Sequence, residues 1–467
     1  MDMKKYLRKP MAEPTVRQGR YEQYNLKENP FPSSPFVNPE SGDARINGKI
    51  YEPSIRQAEY DKVKESFLEV PLNDPNHLRL GYIVDRSYVG RGNGKSAFIL
   101  DVKKRINQDF GLSVSNGLNK CFTVTFTPEP SGKTKTFASF VDLLFYAILR
   151  SDIIEDTLAT LRLEAILALD TSFDVTGHFE DEADLRTKLG STKWYVEAGV
   201  DFRQVVQQIL GSPFLQSLPQ DFPLSAPRTL WTGAINQDSF IEYYQSLKQG
   251  ESRVEFVFSH LVNLFMAADF NGAFVFVDDF ERIPDFQSAR QKRDFARGLR
   301  TCLFDGLYTN AKTGFYTFML VLHAGAPRLV QNAWEESGLE QRAPISYTGG
   351  TPKHLIWFER ITSEHVFSLL RIHLQAYRIT STDSDNLAPF TEEAVIKIGE
   401  LGDFNASKIL KMAYEVLERA VARNVLQIDA GFVLSDGDEI APSEQKQASG
   451  IHSAPTKDLT QEAGYPQ

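Results

Sequence analysis

Lys95 and Ser96, preceded by Gly90, Gly92 and Gly94, are the residues of this chain best suited to holding a phosphate. Glycines let the backbone turn so that successive N–H groups point at an anion, and a helix opening just beyond adds the positive end of its dipole. In Gly90-Arg91-Gly92-Asn93-Gly94-Lys95-Ser96-Ala97, Lys95 is placed to reach β- and γ-phosphates and the Ser96 hydroxyl to ligate Mg²⁺. The pattern G-x-x-x-x-G-K-[ST] asks for glycine where Val89 stands, and the glycine comes one residue later. A second chemical group, Asp278, Asp279 and Glu281, follows the apolar run Ala273-Phe274-Val275-Phe276-Val277. Asp278 suits a Mg²⁺ shell, and Asp279 suits polarisation of an attacking water, with Glu281 as its alternative. Either group alone has a bland counterpart, a glycine-rich turn or a strand ending in a polar turn. Their joint presence points to a nucleotide.

Such groups need strands to carry them and helices to face them. Leu80-Gly81-Tyr82-Ile83-Val84 reads as the strand before the cradle, Ala97 to Ile106 as the helix after it, and Cys121 to Phe126 as a second strand. Phe137 to Leu149 reads as a helix, Val254 to Met266 as another, and Phe315 to Leu322 as a strand ending at His323. Strand and helix alternate, which predicts a parallel α/β sheet, and the acids at the end of a strand buried on both faces lie where open sheets bind ligands. Glu364 to Tyr377, the segment opening at Thr391-Glu392-Glu393, and Ala406 to Arg423 read as three helices.

The expected domains are an arm over 1–60, a first part of the α/β core over 61–150, a helical insertion over 151–250, a second part of the core over 251–360, a helical lid over 361–435 and a disordered tail over 436–467. The arm is Pro- and Asn-rich, and its first twenty residues hold six bases against two acids. The insertion has ten acids against three bases between 151 and 190. An apolar content of 42% supports a large core, and no apolar run reaches membrane-spanning length, so a cytoplasmic protein is expected. Cys121 and Cys302 offer neither a disulfide framework nor a metal cluster. A net charge of −10 excludes a generally basic nucleic-acid coat.

With cradle, acid-tipped strand, polar strand end and helical lid in this order, residues 20 to 430 outside the insertion resemble the AAA+ ATPases, in the branch near the origin-recognition initiators and the ExeA- and TnsC-type ATPases. The resemblance implies a parallel-sheet P-loop core with a C-terminal all-helical lid, ATP and Mg²⁺ as cofactors, and a homo-oligomer with a partner protein or DNA. It also implies roles. Asn29-Pro30-Phe31 is similar to the segment that walls the adenine, Val89 to Ser96 to Walker A, and Val275 to Asp279 to Walker B. His323 falls near sensor 1, Arg342 near an arginine finger, and Gly402 to Lys408 resembles the sensor-2 turn. The chain departs from the pattern in having Asp279 for the usual Walker B Glu, and Asn405 for the sensor-2 Arg, with Lys408 the nearest cation. The roughly forty residues after the lid are too few for a winged-helix domain.

Three functions compete: an ATPase switch, a nucleotide-binding scaffold with little turnover that regulates a partner, and a small-molecule P-loop kinase, which leaves the lid unexplained. A basic row adds a partner surface. On a helix over Ser288 to Leu303, Arg290, Arg293, Arg297 and Arg300 fall in one stripe about 80° wide, with Asp294 outside it, a track for a phosphate backbone or acidic partner. A solvated face is its bland counterpart.

Overall fold

The computed structural model describes residues 19–86, 91–224, 235–345, 353–380 and 386–435. The chain forms two compact units, one of residues 36–361 and one in which residues up to 35 join those from 362 onward. Of the expected 1–60 arm, residues 19–35 fall with the C-terminal helices and residues 36–60 with the α/β unit. The tail over 436–467, Val89 and Gly90 lie outside the described residues.

In the larger unit, β1 (Leu80–Asp85), β2 (Cys121–Phe126), β3 (Gly272–Val277), β4 (Tyr316–Leu322) and β5 (Leu355–Phe358) make one sheet in the order β2-β3-β4-β1-β5. Every neighbouring pair is parallel. The apolar runs explain this, since both faces must be covered. Leu80, Tyr82, Val84, Val275 and Phe318 enter one buried cluster, and Ile83, Phe274, Phe276, Met319 and Val321 enter another. On the second face lie α1 (Gln57–Val63), through Tyr60 and Val63, and α2 (Lys95–Asn107), through Phe98, Ile99, Val102 and Ile106. The approach is close at Gly81, where a Cβ would come within 2.5 Å of the Phe67 ring and 2.8 Å of Met319.

The other face packs on α3 (Phe137–Arg150), which opens with a reciprocal cap between Thr136 and Ser139. From α3 the chain runs almost directly into α4 (Ile153–Leu169), the first helix of the insertion. The described residues of the insertion are largely helical, and they share their core with the sheet. Leu158, Ile166, Val205, Phe240 and Tyr244 belong to the same buried cluster as β1 and β3, so the insertion is an enlarged crossover between β2 and β3. Among the described residues no helix is long and apolar enough to cross a membrane.

In the smaller unit the helices Ser363–Ala376, Glu392–Leu401 and Ala406–Ala422 open with side-chain caps from Thr362, Thr391 and Asn405. The N-terminal segment is built into them. Lys27 N–H donates to Tyr377 O at 2.9 Å, and the Asn29 amide donates to Tyr414 O at 3.2 Å and to Glu418 Oε1 at 3.0 Å.

Candidate functional site

Strands β3, β4 and β1 are consecutive in the sheet, so their C-terminal ends deliver Asp278 to Glu281, His323 and Asp85 to one edge. The cradle rises from the same edge. Gly92 at φ 111° and Gly94 at φ 84° hold the left-handed backbone that glycine tolerates, and Gly94 is the N-cap of α2, so Lys95, Ser96 and Ala97 form its first turn. Arg56 braces the loop from beneath. Its guanidinium donates to Asn93 O at 2.8 Å, pairs with Glu59 at 2.8 Å and lies over the Phe358 ring.

Ser96 Oγ donates to Asp278 Oδ2 at 2.6 Å, bringing the two expected metal ligands together. Burial raises the Asp278 pKa. Lys95, only 7% exposed, is ion-paired with Asp85, itself 2% exposed, and its Nζ lies 3.4 Å from His323 Nδ1. Asp85 is fully engaged, accepting from Asn93 at 3.0 Å on Oδ1 and lying 3.2 Å from His323 Nδ1 on Oδ2. Burial pushes its pKa up, but His323, Lys95 and Asn93 outweigh that and hold it below the usual carboxylate value.

His323 faces carboxylates on both nitrogens. Its Nε2 is 2.8 Å from Glu281 Oε1 and 3.6 Å from Asp279 Oδ1. Burial alone lowers the ring's pKa, yet Asp279, Asp85 and Glu281 together raise it to about 10. Asp279 sits in left-handed backbone at φ 48° and pairs with Arg282; His323 first, then burial opposing and Arg282 assisting, leaves its pKa lowered. Glu281 is 4% exposed and 3.6 Å from Arg91.

The structure thus gathers Arg91, Asn93, Lys95, Ser96, Asp278, Asp279, Glu281 and His323, all singled out in the sequence, and adds Asp85, which was not. One signal for Asp85 existed, an acid closing the apolar strand that feeds the cradle. The adenine-wall and sensor-2 candidates belong to the smaller unit. There Asn29, Pro30 and Phe31 are buried, with Phe31 against His373 and Phe390. Asn405 is the N-cap that accepts from Lys408 N at 3.1 Å, and Lys408 is exposed. Arg342 is exposed, and among the described residues its guanidinium makes no ion pair; the nearby acid Glu336 takes Arg293 at 3.3 Å.

The basic row is lined by acids. Asp294, expected to stand apart, lies 3.7 Å from both Arg290 and Arg297, and Arg300 meets Asp305 at 3.1 Å. All four arginines face a carboxylate: Arg290 and Arg297 meet Asp294 because positions three and four residues apart on a helix are neighbours, and Arg293 and Arg300 meet Glu336 and Asp305 from outside the helix. A phosphate backbone would have to displace those acids.

A lysine–serine cradle at the start of a helix, beside an aspartate-tipped neighbouring strand in a parallel sheet, defines a P-loop α/β protein. No protein-family model and no curated protein sequence matches the chain. Among solved structures it is similar in fold to the Aeropyrum pernix ORC2 protein in its ADPNP–ADP complexes, at 10% identity and a TM-score of 0.39 over 89% of this chain and 73% of that one. It is similar also to the ADP form of the same protein, at 10% identity and a TM-score of 0.37 over 86% and 70%.

Proposed function

We propose that the protein is an AAA+-type switch that binds ATP and hydrolyses it. The observation that carries this reading is the convergence of Lys95, Ser96 and the α2 N-terminus with Asp278, Asp279 and Glu281 on one sheet edge. The α2 N–H groups and Lys95 receive the β- and γ-phosphates, Lys95 exchanging Asp85 for them. Ser96 and Asp278 fit Mg²⁺, one hydroxyl and one carboxylate already 2.6 Å apart. The ion supplies charge neutralisation on the phosphates when bound.

Glu281 is the better general base than Asp279. Asp279 is tied to Arg282, whereas Glu281 meets His323 through Oε1 and keeps Oε2 buried without a hydrogen bond. Glu281→Gln is expected to lower phosphate release by about 100-fold or more, the usual contribution of a general base, with nucleotide affinity kept. Asp279→Asn should do less. If Asp279→Asn abolishes turnover and Glu281→Gln does not, the roles are reversed.

One observation favours the scaffold reading with little turnover: an imidazolium at His323 lies against both acids, competing with water for them. Phosphate release by the wild type, with and without DNA, separates the two readings. A self-assembling switch also needs a donor in trans, for which Arg342 is proposed. Mixing Arg342→Ala with Lys95→Ala chains should regain part of the activity that each lacks; no regain in assembled mixtures excludes that role.

A further inference from the structure

We infer that, in the nucleotide-free protein, Asp279, Glu281 and His323 form a binding site for a divalent transition-metal ion of the Zn²⁺ or Co²⁺ kind, separate from the Ser96–Asp278 pair; an ion held there occupies Glu281, the proposed general base. One ligand atom from each of the three lies within 4.8 Å of the others. Two bonds of about 2.0–2.2 Å at a tetrahedral angle set their ligand atoms roughly 3.3 Å apart. The observed 2.8 Å from His323 Nε2 to Glu281 Oε1, and 3.6 Å to Asp279 Oδ1, bracket that spacing.

A second observation is the other Glu281 oxygen. His323 Nε2 and Glu281 Oε1 form an ion pair at 2.8 Å, whereas Glu281 Oε2 is buried with neither a hydrogen bond nor an ion pair among the described residues. The Glu281 side chain is only 6% exposed. A buried carboxylate oxygen left without a partner beside a histidine and a second acid is a free ligand position. A third is the far side of the ring. Nδ1 faces Asp85 Oδ2 at 3.2 Å, so a proton held there leaves the Nε2 lone pair toward Asp279 and Glu281, as in carboxylate–histidine–metal triads.

The donor set selects the ion. Two carboxylates and an imidazole suit Zn²⁺, Co²⁺ or Fe²⁺, whereas Mg²⁺ favours an all-oxygen shell such as Ser96, Asp278 and phosphate provide. Charge permits it as well. Asp85, Asp278, Asp279 and Glu281 face the fixed cations Lys95, Arg91 and Arg282, leaving the site with one excess negative charge when the ring is neutral. A metal ion takes the place of the proton that the ring otherwise holds among the same acids.

The test is Zn²⁺ and Co²⁺ titration of the full chain by calorimetry, without nucleotide and with excess Mg²⁺ to fill oxygen-only sites. Cys121 and Cys302 are buried and do not compete. One ion per chain is expected, with affinity falling at least tenfold in Glu281→Gln and in His323→Gln, and 10- to 100-fold in Asp85→Asn through loss of the ring's anchor. Asp278→Asn, which removes a neighbouring charge but no ligand, should weaken it less than either ligand change. The Co²⁺ visible spectrum of the wild type reports coordination directly, so misfolding of one variant does not remove the test. No saturable Co²⁺ binding, or binding equal in wild type, Glu281→Gln and His323→Gln, overturns the site, while ATP affinity measured in parallel judges the nucleotide reading separately.

Discussion

Lys95→Ala is expected to erase the thermal stabilisation that ATP·Mg²⁺ gives the wild type. At a hundredfold excess over Kd, a ligand that binds only the folded state stabilises it by about 2.7 kcal/mol. Lys95 is the cation carried by the cradle's own helix, and hydrogen bonds to charged groups contribute about 1.5–3 kcal/mol each. Losing one or two of them weakens affinity on the order of a hundredfold, which at the same nucleotide concentration leaves about 0.4 kcal/mol. The fold should survive, because Asp85 keeps His323 and Asn93 as partners when the ammonium is gone. Differential scanning fluorimetry across a nucleotide titration checks this. An undiminished shift in Lys95→Ala means that the nucleotide is held elsewhere or not at all.

Asp85→Ala should do the opposite, damaging the empty protein more than the loaded one. It strips the counter-charge from a buried ammonium, and breaking a buried pair from one side costs about 3–5 kcal/mol because the remaining charge is uncompensated. For a unit of this size the melting temperature should fall on the order of 10 °C. Two further results are diagnostic. ATP·Mg²⁺ should recover more stability in Asp85→Ala than in wild type, since phosphate supplies the missing negative charge. The double variant Lys95→Ala/Asp85→Ala should be more stable than Asp85→Ala alone. Strict additivity of the two single changes, or no extra rescue by nucleotide, would show that Lys95 does not depend on Asp85.

The contrast between these two residues shows what was legible in the sequence. Lys95 stands in a run whose glycines are demanded by local backbone geometry, and local geometry leaves a spacing that can be read. Asp278 and Asp279 end a run of apolar residues whose length marks a buried strand. The sheet's parallel class and the three C-terminal helices follow from period and caps in the same way. Asp85 has no such context; its role exists only because β4 lies beside β1 and brings His323 to it. Strand β5 is four residues long, too short for a pattern, and pairs with β1 across most of the unit's sequence. The arginine row was found by helical angle, but Glu336 and Asp305 come from outside that helix, and an angle along one helix says nothing of them. Residues 19–35 carry no local pattern because their contacts, such as Asn29 with Tyr414, are hundreds of residues distant.

That distance affects how the molecule is made. Residues 19–35 complete a unit whose other members begin at residue 362, with Tyr21 bonded to Glu418 and Tyr24 to Val425. At about 5–20 residues per second, a ribosome needs some tens of seconds to produce the intervening chain. Through that interval Tyr24, Leu26 and Phe31, all buried in the finished protein, have no partner helices to cover them. The α/β unit has all its strands before the first of those helices emerges, so the phosphate cradle can take shape on the nascent chain while the earliest-made segment still waits for its partners.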